Sequence, residues 1–570
     1  MVGILATGKQ NFEKLRTNNC FYIDKTKFIR DWWNGMDDVT LITRPRRFGK
    51  TLMLDTVKTF FSPDFAGRSD LFEGLEISQD EKLCRLQGKI PVIFISFADV
   101  KGETYSKTIE LINDIIVSVY DIFKPNFDIS LFTDTEKEHL FSIAKTMSEA
   151  TAQTSLRHLT KYLKRQFSAS PIILLDEYDS PLQEAWLNGY WDKLINFMRG
   201  FFNSTFKTNT YLERGLITGI TRVAKESIFS DMNNLKVVSV TSNFYSDCFG
   251  FTEQEVFTAM DTYGLTNKEE VKKWYDGFIF GSQKEIYNPW SIIEFLSNKK
   301  LDTYWMDTSS NALVGDILAH SNAIVKEETE ILLNGKYIVT KLDEQIVFNQ
   351  IYSKKGAFWS LLMASGYVKA LEINYLSKEY KITLTNLEAK NILENKISEW
   401  FDELNSNDTN NFLKALLEDN LDEMNEIMSE ITECSFSYFD TKNEVKNDRK
   451  EAESFYHGFV LGLLVSLKDR YTIVSNRESG FGRYDICMYP KNKRDHGIVI
   501  EFKSISKNKE GTLEETCVNA LKQIKEKDYI KDLILHNVHK KDIYVYGFAF
   551  QGKKVMICGG AEENIDWESF

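Results

Sequence analysis

The chain has 570 residues, too many for one ordinary hydrophobic core, and its length points to roughly three or four domains. A composition of 43% apolar and 27% charged residues with only 8 prolines describes a packed protein and excludes a disordered or fibrous one. The formal charge of −13 argues against a protein that coats nucleic acid non-specifically, so any such contact must be local.

The longest apolar run, 459–467 (FVLGLLVSL), falls short of the roughly 20 residues a membrane helix needs. The first residues lack the pattern of a secretory signal, so a cytoplasmic protein without a membrane partner is expected. The seven cysteines are scattered without a CxxC pair, which points to neither a zinc site nor a disulfide framework.

In chain order, 39–43 (VTLIT), 92–97 (VIFISF), 172–175 (IILL), 216–218 and 237–240 (VVSV) are short apolar runs separated by long helix-compatible segments. That alternation predicts an α/β fold, a parallel sheet covered by helices, over 1–248. From 249 to 385 the texture is aromatic-rich and mainly helical, with WYDGF at 274–278 and YNPWS at 287–291. From 386 on, amphipathic helices lead into a last domain, 386–570. There a helix over 453–467, strands over 483–489 and 498–505, and a helix over 512–527 give the order αββα.

The segment 44–51, RPRRFGKT, follows the first strand and opens a helix. It matches the P-loop pattern G-x-x-x-x-G-K-[ST] except that Arg44 takes the place of the first glycine. Gly49 supplies the turn, Lys50 the cation for the phosphates and Thr51 a hydroxyl for Mg²⁺. The run IILLDEYD ends in Asp176, placed for Mg²⁺, and Glu177, placed to orient an attacking water. The span from Lys50 to Asp176 leaves room in the sequence for the strand at 92–97. In TGITR, Thr218 and Arg222 stand where a γ-phosphate sensor would, although helix capping suits Thr218 equally well. Arg46 and Arg47 are candidates for phosphate contact or for a finger acting across a homo-oligomer interface, with solvated surface as the plain alternative.

Near the C-terminus, Asp485 (RYDICMY) precedes Glu501 and Lys503 (IVIEFKSI) across the turn-like KNKRDHG. Alternation puts Glu501 and Lys503 on one face of their strand. Two carboxylates and a lysine in that pattern suit Mg²⁺-dependent phosphodiester hydrolysis, with Glu453 joining the metal shell from the preceding helix. Gln523 and Tyr529 stand where they would brace the site. A bare D…ExK also arises by chance on solvated hairpins, and the αββα order is what favours the functional reading here.

RPRRFGKT, LLDEYDSPL, TGITRVAKESIFSDMNNL, YIDKT at 22–26, WYDGF and YNPWS resemble the AAA-ATPase-like family. SFYHGFVLGLL, SNRESGFGRYDI, IVIEFKS and ALKQIKEKDY are similar to the PD-(D/E)XK nuclease superfamily. The resemblance makes Arg44 a family feature. It implies a P-loop AAA-like ATPase core over 1–248, a lid or winged-helix-like region over 249–385 and a nuclease-like domain over 386–570. It further implies ATP bound by Lys50, Thr51 and Asp176, and nucleic acid, in the first place DNA, as the substrate of Asp485, Glu501 and Lys503. The rival expectation is a regulatory ATPase switch whose nuclease-like domain only binds a partner or nucleic acid.

Overall fold

A computed structural model describes residues 3–567 apart from 223–227, 230, 306–316, 318–322, 334, 344–354, 375, 404–405, 437–459, 462, 480–481, 506–510 and 552–553. The chain divides into two compact units, 1–308 with 335–391 and 309–334 with 392–570. Among the described residues no helix is long and apolar enough to cross a membrane.

In the first unit β1 (Val39–Thr43), β2 (Val92–Ser96), β3 (Ile172–Asp176), β4 (Arg214–Gly219) and β5 (Leu235–Val238) form one parallel sheet in the order β2–β3–β4–β1–β5. Every residue of β1, β3 and β4 is buried. A strand covered on both faces has no solvent side, which explains why these segments show no alternation of apolar and exposed polar residues, their few polar side chains, such as Thr40 and Thr218, being buried too. Helices Tyr105–Phe123 and Glu149–Phe167 connect β2 to β3, and Ser180–Leu187 and Trp191–Phe202 connect β3 to β4. Helix Lys50–Phe61 follows β1 and lays Met53, Leu54 and Val57 against Ile42, Leu174 and Leu216. In space the strand between β1 and β3 is β4, while β2, which lies between them in sequence, sits at the sheet edge.

This unit runs past the expected border at 248. Besides helices Glu253–Thr262, Lys268–Tyr275, Pro289–Asn298 and Lys355–Ser365 it carries two small antiparallel sheets. One joins β6 (Phe251–Thr252), β7 (Phe278–Phe280) and β8 (Gln283–Tyr287) with β8 central. The other joins β9 (Ile338–Lys341), β10 (Val368–Asn374) and β11 (Glu379–Leu384) with β11 central. The reason for the shared unit is packing: Phe48 from the P-loop lies edge-on to Phe278 and Phe280, with ring centroids 4.7 and 5.3 Å away.

In the second unit β12 (Tyr471–Ser479), β13 (Gly482–Pro490), β14 (Gly497–Ser504), β15 (Ile543–Gln551) and β16 (Lys554–Ala561) form a sheet in sequence order. All neighbours are antiparallel except β14 and β15, which run parallel with helix Leu513–Glu526 between them in the chain. One face packs Ile486, Ile500 and Phe502 with residues of helices Ser406–Leu417 and Leu421–Phe436. The other packs Cys487 and Val499 with Leu521 and Ile524 of helix Leu513–Glu526.

Candidate nucleotide and nuclease-like sites

The first site forms where β1, β3 and β4 end. Arg47 and Gly49 both adopt left-handed backbone, φ 65° and 78°, and this turn feeds the N-terminus of helix Lys50–Phe61. Nothing lies within 4 Å of where a Cβ on Gly49 would stand, so glycine is required there for its φ, and the space above is open. An open, left-handed turn at a helix N-terminus is a ready anion cradle.

Asp176 ties β3 to β4 and to the start of helix Lys50–Phe61. It is 1% exposed and accepts from Thr51 Oγ1 and Thr218 Oγ1, each at 2.6 Å. Burial pushes its carboxyl above the usual range, and the two hydroxyl bonds pull it back. Lys50, also buried, donates from Nζ to the carbonyls of Arg44 and Pro45, both at 2.9 Å. Burial lowers its pKa, against the attraction of Glu177, Asp176 and Asp179. Glu177 has a left-handed φ of 50° and accepts from Ser180 Oγ at 3.1 Å. A residue with a Cβ in that region marks a constrained position.

The three arginines diverge. Arg44 is fully buried and turns away from the turn's open side: its guanidinium donates to the carbonyls of Thr43 at 2.9 Å and Ser239 at 2.8 Å and lies 4.6 Å above the Phe280 ring. Burial lowers its pKa to about 9, which leaves it charged at neutral pH. Arg44 therefore holds the chain beyond β5 in place. Arg47 stacks on Trp290, 4.1 Å from the ring centroid. Arg46 is half-buried, and its carbonyl accepts from Asn288 Nδ2 at 3.4 Å. Arg222 lies half-buried just past Thr221.

Sequence reasoning missed Asp179. It is 1% exposed and takes the Ile220 and Thr221 N–H groups and Thr221 Oγ1, the last at 2.7 Å, which fixes the backbone after Thr218. The signal was a third acid in LLDEYDSPL, three residues after Asp176.

In the second unit, Asp485 shares a face with Cys487, and Glu501 and Lys503 share one with Val499. By strand alternation all three point to the side covered by helix Leu513–Glu526. The β13–β14 ladder stops at Ile486 and Ile500, one residue short of Asp485 and Glu501. Asp485 Oδ2 instead accepts the Phe502 N–H at 2.8 Å. Glu501 is 1% exposed; its Oε1 accepts from Lys503 Nζ at 3.1 Å and from Gln523 Nε2. Gln523 in turn donates to Tyr529 Oη at 3.1 Å. Gly547, paired with Glu501 in the β14–β15 ladder, lets the helix come close: a Cβ there would meet Cys517 O at 2.6 Å. Capping of the same helix by Thr512 and Glu515 fixes its start.

Glu501 Oε2 is buried without a hydrogen-bond partner among the described residues. Burial, then the charge of Asp485, raises the Glu501 carboxyl well above its ordinary range; Lys503 and, more weakly, the Asp485 backbone N–H act in the opposite sense. A partnerless oxygen beside a second carboxylate fits a divalent cation, whose preferred ligands are carboxylate oxygens. Glu453, expected in the same shell, lies outside the described residues.

Residues 6–229 match the family described as a predicted AAA-ATPase, and residues 451–559 match the PD-(D/E)XK nuclease superfamily. The chain thus joins an AAA-ATPase-like domain to a PD-(D/E)XK nuclease-superfamily domain. An uncharacterized protein of the vnfD 5′ region of Azotobacter chroococcum mcd 1 is 23% identical over 572 residues, covering 98% of this chain and 99% of its own. The ORC2 protein of Aeropyrum pernix, solved as ADPNP–ADP complexes, aligns with 65% of this chain and 92% of its own at 12% identity and a TM-score of 0.23, too low to carry an argument.

Proposed function

We propose that this is a cytoplasmic ATP-binding protein whose nucleotide state controls Mg²⁺-dependent cleavage of nucleic acid, DNA in the first place, by its C-terminal domain. The observation that carries the nuclease half is Glu501, a buried carboxylate with one oxygen left over, beside Asp485 and on the face of Lys503. Such an arrangement is costly unless a cation completes it. Asp485 and Glu501 would hold Mg²⁺, joined by Glu453; when bound, the ion supplies charge neutralisation at the scissile phosphate and a more acidic water. Gln523 holds Glu501 in orientation, and Lys503 offsets negative charge as it develops.

In the N-terminal domain the N–H groups from Gly49 onward, Lys50, Arg46 and Arg47 would take the phosphates, and Thr51 with Asp176 would hold the nucleotide's Mg²⁺. Glu177 would orient water, and Thr218 and Arg222 would respond to the γ-phosphate. Assembly into a homo-oligomer that supplies an arginine in trans belongs to the same reading. Light scattering with and without ATP checks it, and a monomer throughout removes the trans arginine.

Replacing Lys50 tests the nucleotide half. Lys50→Ala deletes a buried cation that feels the charges of Asp176 and Glu177, and ATP affinity is expected to fall by about tenfold or more, roughly 1.4 kcal/mol. Unchanged affinity in the folded variant takes Lys50 out of the site. For the whole reading, the experiment is cleavage of plasmid, linear duplex and single strands with Mg²⁺ or Mn²⁺, with and without ATP. Binding of nucleic acid without cleavage under every condition hands the function to the rival reading, an ATPase switch with a binding domain.

A further inference from the structure

One helix terminus touches both the nucleotide loop and a buried carboxylate that the functions above do not use. The first turn of helix Pro289–Asn298 contains Trp290, on which Arg47 stacks, and is capped by Asn288, whose Nδ2 reaches the Arg46 carbonyl. Asn288 Oδ1 accepts the N–H groups of Trp290 and Ser291 at 2.9 and 3.3 Å, so the loop contact and the helix start are made by one side chain. Ser291 Oγ then donates to Glu388, 3.1 Å from Oε1 and 2.9 Å from Oε2. Asn288, Ser291 and Glu388 are each 0% exposed.

A second, aromatic route reaches the same carboxylate. Phe48 of the P-loop packs on Phe278 at 4.7 Å, Phe278 on Trp305 at 5.9 Å, and the Trp305 N–H donates to Glu388 Oε1 at 2.8 Å. Among the described residues, the bonds to Glu388 come from Ser291 and from the backbone of Trp305 and Tyr304, all of them uncharged. A buried carboxylate without a counter-charge is expensive to keep, and its geometry is sensitive to small displacements of its donors. Glu388 belongs to the first turn of helix Leu387–Glu403, which begins in the first compact unit and continues along the chain into the second.

We propose that the YNPWS turn and Glu388 form the joint through which nucleotide binding at the P-loop reaches helix Leu387–Glu403. The proposal rests on the nucleotide-binding reading above and deepens it by assigning its output. Asn288 senses the backbone of Arg46, Trp290 senses the guanidinium of Arg47, and both shifts converge on Glu388. Arg47 is the moving part: a phosphate that draws its guanidinium off the Trp290 ring releases one side of the helix start.

The test is hydrogen exchange on the full chain, without nucleotide and with saturating ATP and Mg²⁺, for the native protein, Ser291→Ala and Glu388→Gln. Nucleotide binding is measured separately by titration. In the native chain ATP is expected to change exchange over 387–403 by about fivefold or more. In both variants ATP still binds and the change over 387–403 is lost. If ATP binds the native chain and helix Leu387–Glu403 does not respond, the joint is wrong while the nucleotide reading stands. If the helix responds equally in the variants, the coupling runs elsewhere. If ATP fails to bind the native chain, the nucleotide reading falls and the joint with it. Glu388→Gln keeps an acceptor for the Trp305 N–H, which guards against a result caused by a variant that does not fold.

Discussion

Asp485→Ala and Lys503→Ala are each expected to reduce Mn²⁺-dependent cleavage by about a thousandfold, roughly 4 kcal/mol of transition-state stabilisation, while the C-terminal domain stays folded. The separation of activity from stability follows from the local balance of forces. Asp485→Ala deprives the Phe502 N–H of its acceptor, a loss of about 1 kcal/mol. It also removes the charge that opposes ionisation of Glu501, a gain of opposite sign. The two effects oppose each other, so the melting midpoint should move by less than the roughly 2–4 °C that an uncompensated 1 kcal/mol would give. Asp485→Asn, which retains an acceptor oxygen for Phe502, should move it less and be equally inactive. Cleavage that survives both Asp485→Ala and Lys503→Ala places the chemistry elsewhere. Loss of activity accompanied by unfolding in all variants would make Asp485 a structural residue.

How much of this was legible in the sequence depended on whether a feature is local. The strands of the P-loop sheet were legible because burial on both faces favours short, mostly apolar runs without alternation, such as IILL in β3. The turn at Gly49 and the pairing of Thr51 with Asp176 followed from motif chemistry that acts over a few residues at strand ends. Strand order was not legible, because placing β4 between β1 and β3 is decided by helix packing across the sheet. The role of Arg44 was not legible for the same reason. Its place in the motif says only that it stands where a glycine is usual, whereas burial beneath the loop and the Ser239 carbonyl after β5, some two hundred residues away in the chain, decide what it does.

The nuclease-like site shows the same division. Alternation along IVIEFKS was enough to put Glu501 and Lys503 on one face, and the short turn after β13 was enough to make β13 and β14 antiparallel. The strands β12, β15 and β16 went unread, although YVYGFAF within β15 is apolar throughout. What no local pattern carries is the end of the β13–β14 ladder at Ile486, which lets a carboxylate take a backbone N–H, or the use of Gly547 to bring Gln523 within reach of Glu501. Glu388 was unread because nothing around it in TLTNLEAK separates a helix-start glutamate facing water from one buried under two other segments.

Glu388→Gln is expected to raise the stability of the first compact unit at pH 8 by about 3 kcal/mol and to leave it nearly unchanged below pH 5. Burial raises the Glu388 carboxyl from its ordinary 4.5 to about 7, against bonds from the Trp305 backbone and Ser291 that pull it down. Between those values the unfolded chain has released the proton that the folded chain still holds, so the folded state binds more protons and stability falls as pH rises. Above about 7 both states are ionised, and the full penalty of a buried, uncompensated charge persists. Below 4.5 both states are protonated and there is no penalty. A glutamine carries no proton in either state, yet its carbonyl can still accept from Trp305 and Ser291, so the variant follows the native protein in acid and exceeds it in alkali. Calorimetric melting at pH 5 and pH 8 reads the difference directly. A variant that is less stable than the native protein at pH 8 would mean that the surrounding donors hold the charged form more strongly than burial opposes it. If melting shows this loss at pH 8, the native chain carries the carboxylate at a cost in stability, which is the behaviour expected of a group that links ATP to helix Leu387–Glu403, and the stabilised variant is then also the one expected to break that link.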